Sequence, residues 1–456
     1  MKTTKLMITA IAIGLISQLV NAQILDQNRL GLPQVNKIDS LVNKLPKRLD
    51  NDIIEFQSNK SLLPSIDSLI LNPLDSLPDT LAIGDDIQNP AWIEVSLEDD
   101  WRAIKNQWIV LANASTKNIL ISLGASIETE MAYAGLKLSL LRFTVPDKID
   151  SKKALASYLS EPVLSTLDRN HVYQAQSAKE LKYPFAGTQK QTELKRSPLQ
   201  DSFCINTLRI GMIDSAVDQA HRVFRGAKIT AKSFLTDNVE SPTLHGTAVA
   251  SVLLGAIDNQ APLLKNAHLF SAEVFYRQTD YAQGATLNAI INAINWLIIE
   301  DVNVINMSLA GPDNAVLSTV VKAAHQQGVF IVAAAGNDGP AAAAVYPAGY
   351  DDVIAVSAID QHQQPYRWSN QGAYIDFAAL GVNVLTAQSQ QGIGRESGTS
   401  MAAPVVSAAL ACTLANLSNG PIADTNKVIN KLTEMAVDLG PVGKDPIFGL
   451  GAIQSQ

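Results

Sequence analysis

The chain has 456 residues, 47% hydrophobic, 17% charged and 6% aromatic, which excludes a disordered or collagen-like protein and provides for a sizeable core. Its 35 basic and 43 acidic residues leave a formal charge of -8, so no broad positive field exists to draw nucleic acid or anionic lipid. Two cysteines exclude a disulfide scaffold or a four-thiolate zinc site but leave room for one bridge, and the length suggests two to three domains.

The chain opens with the basic Met1-Lys2-Thr3-Thr4-Lys5, an apolar run from Leu6 to Val20 and the small-x-small site Val20-Asn21-Ala22. That run is shorter than the roughly 20 apolar residues a span needs, so residues 1–22 are predicted to be a signal peptide cut after Ala22. An exported protein, secreted or periplasmic and free of the membrane once the signal is removed, is expected. Residues 23–99 are rich in Leu, Asp, Ser, Pro and Asn, with Asp-Ser-Leu recurring irregularly at 39–41, 67–69 and 75–77. Pro33, Pro46, Pro64, Pro73 and Pro78 interrupt any long helix, and the segment reads as a leader or linker.

Residues 100–176 form a small unit in the pattern. Trp108 to Ala112 is predicted as a strand, Thr116 to Leu123 as a helix, Ser126 to Tyr133 and Leu136 to Val145 as strands, Ser151 to Leu159 as a helix and Leu167 to Tyr173 as a strand. The order is β-α-β-β-α-β. A polar linker, 177–202, follows.

From 203 to 456, strands and helices alternate as in an α/β domain whose mostly parallel sheet carries helices on both faces. Strands are predicted at Leu208 to Ile213, Val302 to Met307, Val329 to Ala334 and Val353 to Ser357, and helices at Ala285 to Ile299 and Ala315 to Gln327. Catalytic groups in such sheets gather at the carboxyl ends of the strands. Asp214 follows the first strand directly. His245-Gly246-Thr247 precedes the apolar run Ala248 to Leu254, read as a helix. Ser400 lies in Gly398-Thr399-Ser400-Met401-Ala402-Ala403-Pro404, at the start of a small-residue helix. Any one of these has an ordinary structural reading. Together they supply a nucleophile, a base to take its proton and a carboxylate to orient the base. Asn337, after Ala333-Ala334-Ala335-Gly336, adds an amide that can donate to an oxyanion beside the Ser400 N–H.

Asp214-Ser215, His245-Gly246-Thr247, Val304-Ile305-Asn306-Met307-Ser308-Leu309, Ala335-Gly336-Asn337 and the Ser400 segment resemble, in order, the subtilisin family of serine peptidases. The resemblance covers roughly 205–456. It implies peptide-bond hydrolysis by Ser400, with His245 as base and then acid, Asp214 as orienting carboxylate and Asn337 as oxyanion donor. It further implies that residues 100–176 are similar to the family's propeptide, an intramolecular inhibitor that assists folding and is removed at or after Tyr173-Gln174-Ala175-Gln176. Ser308, Leu309 and Ala310 would form one wall of the substrate cleft and Ala334, Ala335 and Gly336 the facing wall. The expected partners are protein or peptide substrates, taken with a non-charged residue before the cut, and the enzyme is expected to be a monomer. An inactive exported peptide-binding homologue is the alternative.

Three positions depart from the family's pattern: Ala216 and Ala310 stand where glycine is usual, and Ala248 where a second histidine is common. The usual calcium loop is not legible between Leu254 and Ala272, where Asp258-Asn259-Gln260 is the only polar cluster, so no cofactor or metal site is assigned. Cys412 lies about 18 Å along the helix from Ser400, and Cys204 precedes the strand whose far end carries Asp214. Both therefore fall at the end of the sheet opposite the active site, where one bridge is compatible with export.

Overall fold

The computed structural model describes residues 77–86, 88–175, 202–258, 260–279, 282–388, 391–417 and 425–454. The segment read as a signal peptide, most of the leader and residues 177–201 of the linker lie outside the described residues.

The first described elements are β1 (Thr80–Ile83), β2 (Trp92–Ser96), β3 (Arg102–Leu111), α1 (Ala114–Ser122), β4 (Ser126–Tyr133), β5 (Leu138–Thr144) and β6 (Leu167–Ala175). From β3 onward the order is the expected one, although the second helix is reduced to two single turns, Lys152–Leu155 and Glu161–Leu164. Pro162 sits at the start of the second turn and has no N–H to bond the Tyr158 carbonyl, so a helix begun at Lys152 cannot run through it. The leader reading needs correcting at its end: 80–96 is an antiparallel hairpin, β1 pairing β2 from Thr80↔Val95 to Ile83↔Trp92. Pairing throughout this sheet is antiparallel, so the mostly parallel description does not apply to it. One face packs Trp108, Val110, Phe143 and Leu167 under α1 and the single turns.

The second sheet runs β19-β20-β16-β15-β14-β12-β7-β9-β8. Its strands are β7 (Arg209–Asp214), β8 (Lys228–Ser233), β9 (His268–Glu273), β12 (Val304–Met307), β14 (Phe330–Ala334), β15 (Val353–Ile359), β16 (Phe377–Leu380), β19 (Ala436–Val437) and β20 (Ala452–Ile453). All neighbours pair parallel except the edge strand β19. Alternation along the strands feeds two cores. Ile210, Met212, Val332 and Val356 pack with α2 (Leu244–Leu254) and α5 (Thr399–Leu417), while Ile213, Ile305, Met307 and Ile331 pack with α3 (Leu287–Ile299) and α4 (Ala315–Gln326). Helix α6 (Thr425–Met435) adds Val428 and Leu432 to the first core. By length and composition α5 could cross a membrane, but Thr399 to Thr413 are buried within the protein, which marks it as a core helix.

The two sheets share a core. Ile109, Tyr133, Leu136, Leu140 and Tyr173 of the N-terminal unit join the cluster built on α3 and α4. Polar groups from β6 also cap those helices. Asp168 Oδ2 accepts from Ala315 N at 3.0 Å and Asn170 Oδ1 from Asn288 N at 3.0 Å, satisfying N–H groups that a helix start leaves open. Cys204 and Cys412 are joined in a disulfide that closes a sequence separation of 208.

Candidate active site

Strand β7 is the turning point of the parallel sheet, with β9 and β8 on one side and β12 through β20 on the other. The crevice at the carboxyl ends of β7 and β12 is where such a sheet binds ligands. Asp214 closes β7 and is wholly buried. Its Oδ1 accepts from Ser215 N at 2.7 Å and lies 2.8 Å from His245 Nδ1. An acceptor already engaged by a backbone N–H holds the carboxylate still, and the imidazole must then carry its proton on Nδ1. Among the described residues, His245 Nε2 is buried with no hydrogen-bond partner, leaving it to receive a proton.

Gly246 makes this approach feasible. A Cβ there would stand 2.2 Å from Ser215 O, so any larger residue would push the start of α2 away from β7. Its N–H donates instead to Ser215 Oγ at 2.8 Å. Thr247 Oγ1 accepts from Asp218 N at 2.8 Å, tying the loop after β7 to the same helix. Ala216, one of the departures from the family pattern, is not among the residues at positive φ and donates its N–H to Ser241 Oγ at 2.9 Å, so alanine is accommodated.

Ser400 is the second residue of α5, which packs against α2. Pro404 lies four residues on, and without an N–H it cannot close the helical bond to the Ser400 carbonyl. Ser308 Oγ donates to that carbonyl at 3.1 Å. Asn306 Nδ2 donates to Ser308 Oγ at 3.0 Å, and Ser407 Oγ donates to Asn306 Oδ1 at 3.0 Å. This buried relay fixes the end of β12 against the turn carrying Ser400. Sequence reading picked Ser308 only as a cleft wall; its signal was the proline four residues after the serine.

Asn337 is buried beside Thr399, and its Oδ1 accepts from Thr399 N at 3.0 Å and from Thr399 Oγ1 at 3.1 Å. The backbone donor requires an acceptor there, which settles the orientation of the amide with its NH2 on the other branch.

Strand β6 ends between two strands of the C-terminal unit. Its final residues pair antiparallel with β13 (Leu309–Ala310), in the register Leu309↔Ala175 and Ala310↔Gln174. On its other edge lies β11 (Gln283–Thr286), with Gly284↔Gln174, Ala285↔Tyr173 and Thr286↔Val172. Opposite β13 across β6 the strand is thus β11, whose Ala285 was assigned to the following helix. Ala334, Ala335 and Gly336 are buried at the end of β14, where Gly336 N donates to Thr399 Oγ1 at 3.3 Å. Tyr173 is fully buried; a Cβ on Gly311 would meet its ring at 2.3 Å, so that glycine makes the seat, and Tyr173 Oη donates to Pro312 O at 3.2 Å.

Burial pushes the His245 pKa down, but the charge of Asp214 and its hydrogen bond, with a further contribution from Glu396, outweigh it and leave the value raised above the ordinary one of about 6.5. Glu396 belongs to β18 (Ile393–Glu396) and accepts from Gln388 Nε2 at 2.7 Å. Below that pKa the ring is charged and cannot act as a base, so kcat/KM is expected to rise with pH along a limb centred above about 6.5. Glu396→Gln is expected to move that limb to lower pH, by less than the loss of Asp214 does. A pH profile of the variant superimposable on the parent's would remove Glu396 from the account.

A carboxylate holding an imidazole, with a serine at a helix start on the same α/β sheet, is the arrangement of a serine hydrolase. A model of the subtilase family matches residues 206–451, more than half of the chain, and the chain belongs to that family, whose class is serine endopeptidase. It is 34% identical over 244 residues to subtilisin DY of Bacillus licheniformis, covering 51% of this chain and 85% of that one. With subtilisin amylosacchariticus of Bacillus subtilis subsp. amylosacchariticus it shares 28% over 364 residues, 77% of this chain and 88% of that protein. With the minor extracellular protease Epr of Bacillus subtilis (strain 168) it shares 32% over 255 residues, 54% of this chain but 38% of that protein.

Proposed function

We propose that the chain is made for export as an inactive precursor of a serine endopeptidase and that residues up to Gln176 are its built-in inhibitor. Ser400 Oγ attacks the scissile carbonyl while His245 Nε2 takes its proton, and the Asp214 carboxylate stabilises the imidazolium. The oxyanion is held by Asn337 Nδ2 and the Ser400 N–H at the start of α5. Collapse passes the proton from His245 to the leaving amine, giving an acyl-enzyme. A water then loses a proton to the same nitrogen, attacks the ester and releases the new carboxylate and Ser400. Asn337→Ala is expected to lower kcat about 10²–10³-fold with KM little changed, because its amide meets charge that exists only in the transition state. An Asn337→Ala enzyme with the parent's kcat would take that residue out of the oxyanion site.

The observation that carries this reading is the register of β6. Extended chain paired on both edges is how a peptide substrate adds to a groove. With Gln174 opposite Ala310 and Ala175 opposite Leu309, the end of β6 is directed toward Ser308, whose hydroxyl bonds to the Ser400 carbonyl. On that direction we assign the cut to the Gln176–Ser177 bond, which has an uncharged residue before it. Terminal sequencing of the processed chain is expected to give Ser177 as the new first residue. Cleavage at that bond in a Ser400→Ala chain purified alone would refute self-processing.

A further inference from the structure

We infer that the catalytic unit carries a docking surface for the hairpin β1–β2, and that this hairpin, rather than the β6 tail alone, keeps the N-terminal unit bound after the chain has been cut. The inference rests on the reading of that unit as the inhibitor. The sheet β1-β2-β3-β6-β11-β10, with β10 spanning Tyr276–Arg277, curls so far that its first strands meet its last. Glu94 of β2 is fully buried. Its Oε1 accepts from Tyr276 Oη at 2.7 Å and its Oε2 from Gln278 Nε2 at 2.7 Å, both groups of the catalytic unit. Arg102 Nε donates to Oε2 at 2.9 Å, and Arg102 Nη1 donates to Pro78 O at 3.0 Å, which pins the start of the hairpin. Around this cluster Ile83, Ile104, Val172 and Tyr276 form a separate apolar core, with the Trp92 ring 4.8 Å from that of Tyr276. At the hairpin's turn, Asp85 N donates to Asn238 O at 3.3 Å, and Leu235 and Val239 of the same catalytic loop pack on the small core.

Within the sheet β6 lies between β3 and β11, so the hairpin, carried on β3, reaches past β6 to the strand pair β10–β11. None of them involves the scissile bond. Cutting after Gln176 removes a covalent link and leaves all of them in place. Separation then requires Tyr276 and Gln278 to give up two hydrogen bonds to a buried carboxylate, the charge-assisted kind that a neutral pair does not match. Arg102 travels with Glu94, so the ion pair itself leaves intact. The hairpin therefore adds its own barrier to release beside the core shared with α3 and α4.

The test uses the full chain as Ser400→Ala, with a site-specific protease sequence replacing residues 186–192, immobilised through its C-terminus and cut with the cognate protease. The rate at which the N-terminal fragment washes off is then read for the parent, for Glu94→Ala, for Tyr276→Phe and for Ser96→Ala, an exposed position on the same strand. Glu94→Ala is expected to release the fragment at least about tenfold faster, Tyr276→Phe severalfold faster, and Ser96→Ala at the parent's rate. Because Glu94→Ala leaves Arg102 unpaired and can unfold the fragment, Tyr276→Phe, on the other partner, is the decisive variant. Release of Tyr276→Phe at the parent's rate would overturn the proposal, whatever Glu94→Ala does. The readout does not depend on turnover, so a failure of the peptidase reading shows separately, as an unprocessed and inactive wild-type chain.

Discussion

Ser400→Ala is expected to lower kcat by about six orders of magnitude, the loss found when the nucleophile of a peptidase of this family is removed. Without the hydroxyl no acyl-enzyme forms, and His245 and Asp214 have no proton to move. What survives is the groove between β11 and β13 and the oxyanion donors, so the variant should still bind peptides and retain a small rate over water. The same substitution should leave the precursor as one uncut chain. Near-parent kcat in purified Ser400→Ala would place the chemistry elsewhere.

Asp214→Ala is expected to cost about 10⁴-fold in kcat, less than loss of the nucleophile because the serine and the imidazole remain. Two effects combine. The Nδ1 partner at 2.8 Å disappears, so the proton is no longer held on the far side of the ring, and the imidazolium formed in each transition state loses its counter-charge. The pH profile separates this from simple loss of folding. Of the influences on His245, burial, which lowers its pKa, would remain opposed only by Glu396 once Asp214 is gone. The acid limb of the residual activity is therefore expected to lie below the parent's. A limb that stays in place or moves upward would contradict the assigned role of Asp214.

The candidate site was legible in the residues because its motifs are tied to local backbone geometry. Asp214 ends an apolar strand, His245 precedes a glycine, and Ser400 starts a helix with a proline in its second turn. Each position follows from backbone rules acting within a few residues. The bridge between Cys204 and Cys412 was also within reach, since helical rise and strand direction put both at one end of the sheet. Elements whose stability comes from distant partners were not legible. β1 and β2 are four and five residues long in a segment rich in proline and aspartate, and they exist because β3 and the surface around Tyr276 receive them. β11 was hidden because Gln283–Thr286 runs straight into α3, so a helical pattern absorbed its last residues. No residue near Glu94 in the sequence marks it for burial. Its burial depends on Arg102, Tyr276 and Gln278, and the last two are more than 180 residues away.

The central claim, that Ser400 is a nucleophile activated by His245, is tested most directly by reacting the processed protein with a fluorophosphonate and mapping the adduct by mass spectrometry. A single adduct on Ser400, abolished by His245→Ala, is the predicted result. Processed protein that stays unlabelled while still binding peptides would contradict it and identify the chain as a peptide-binding homologue without turnover.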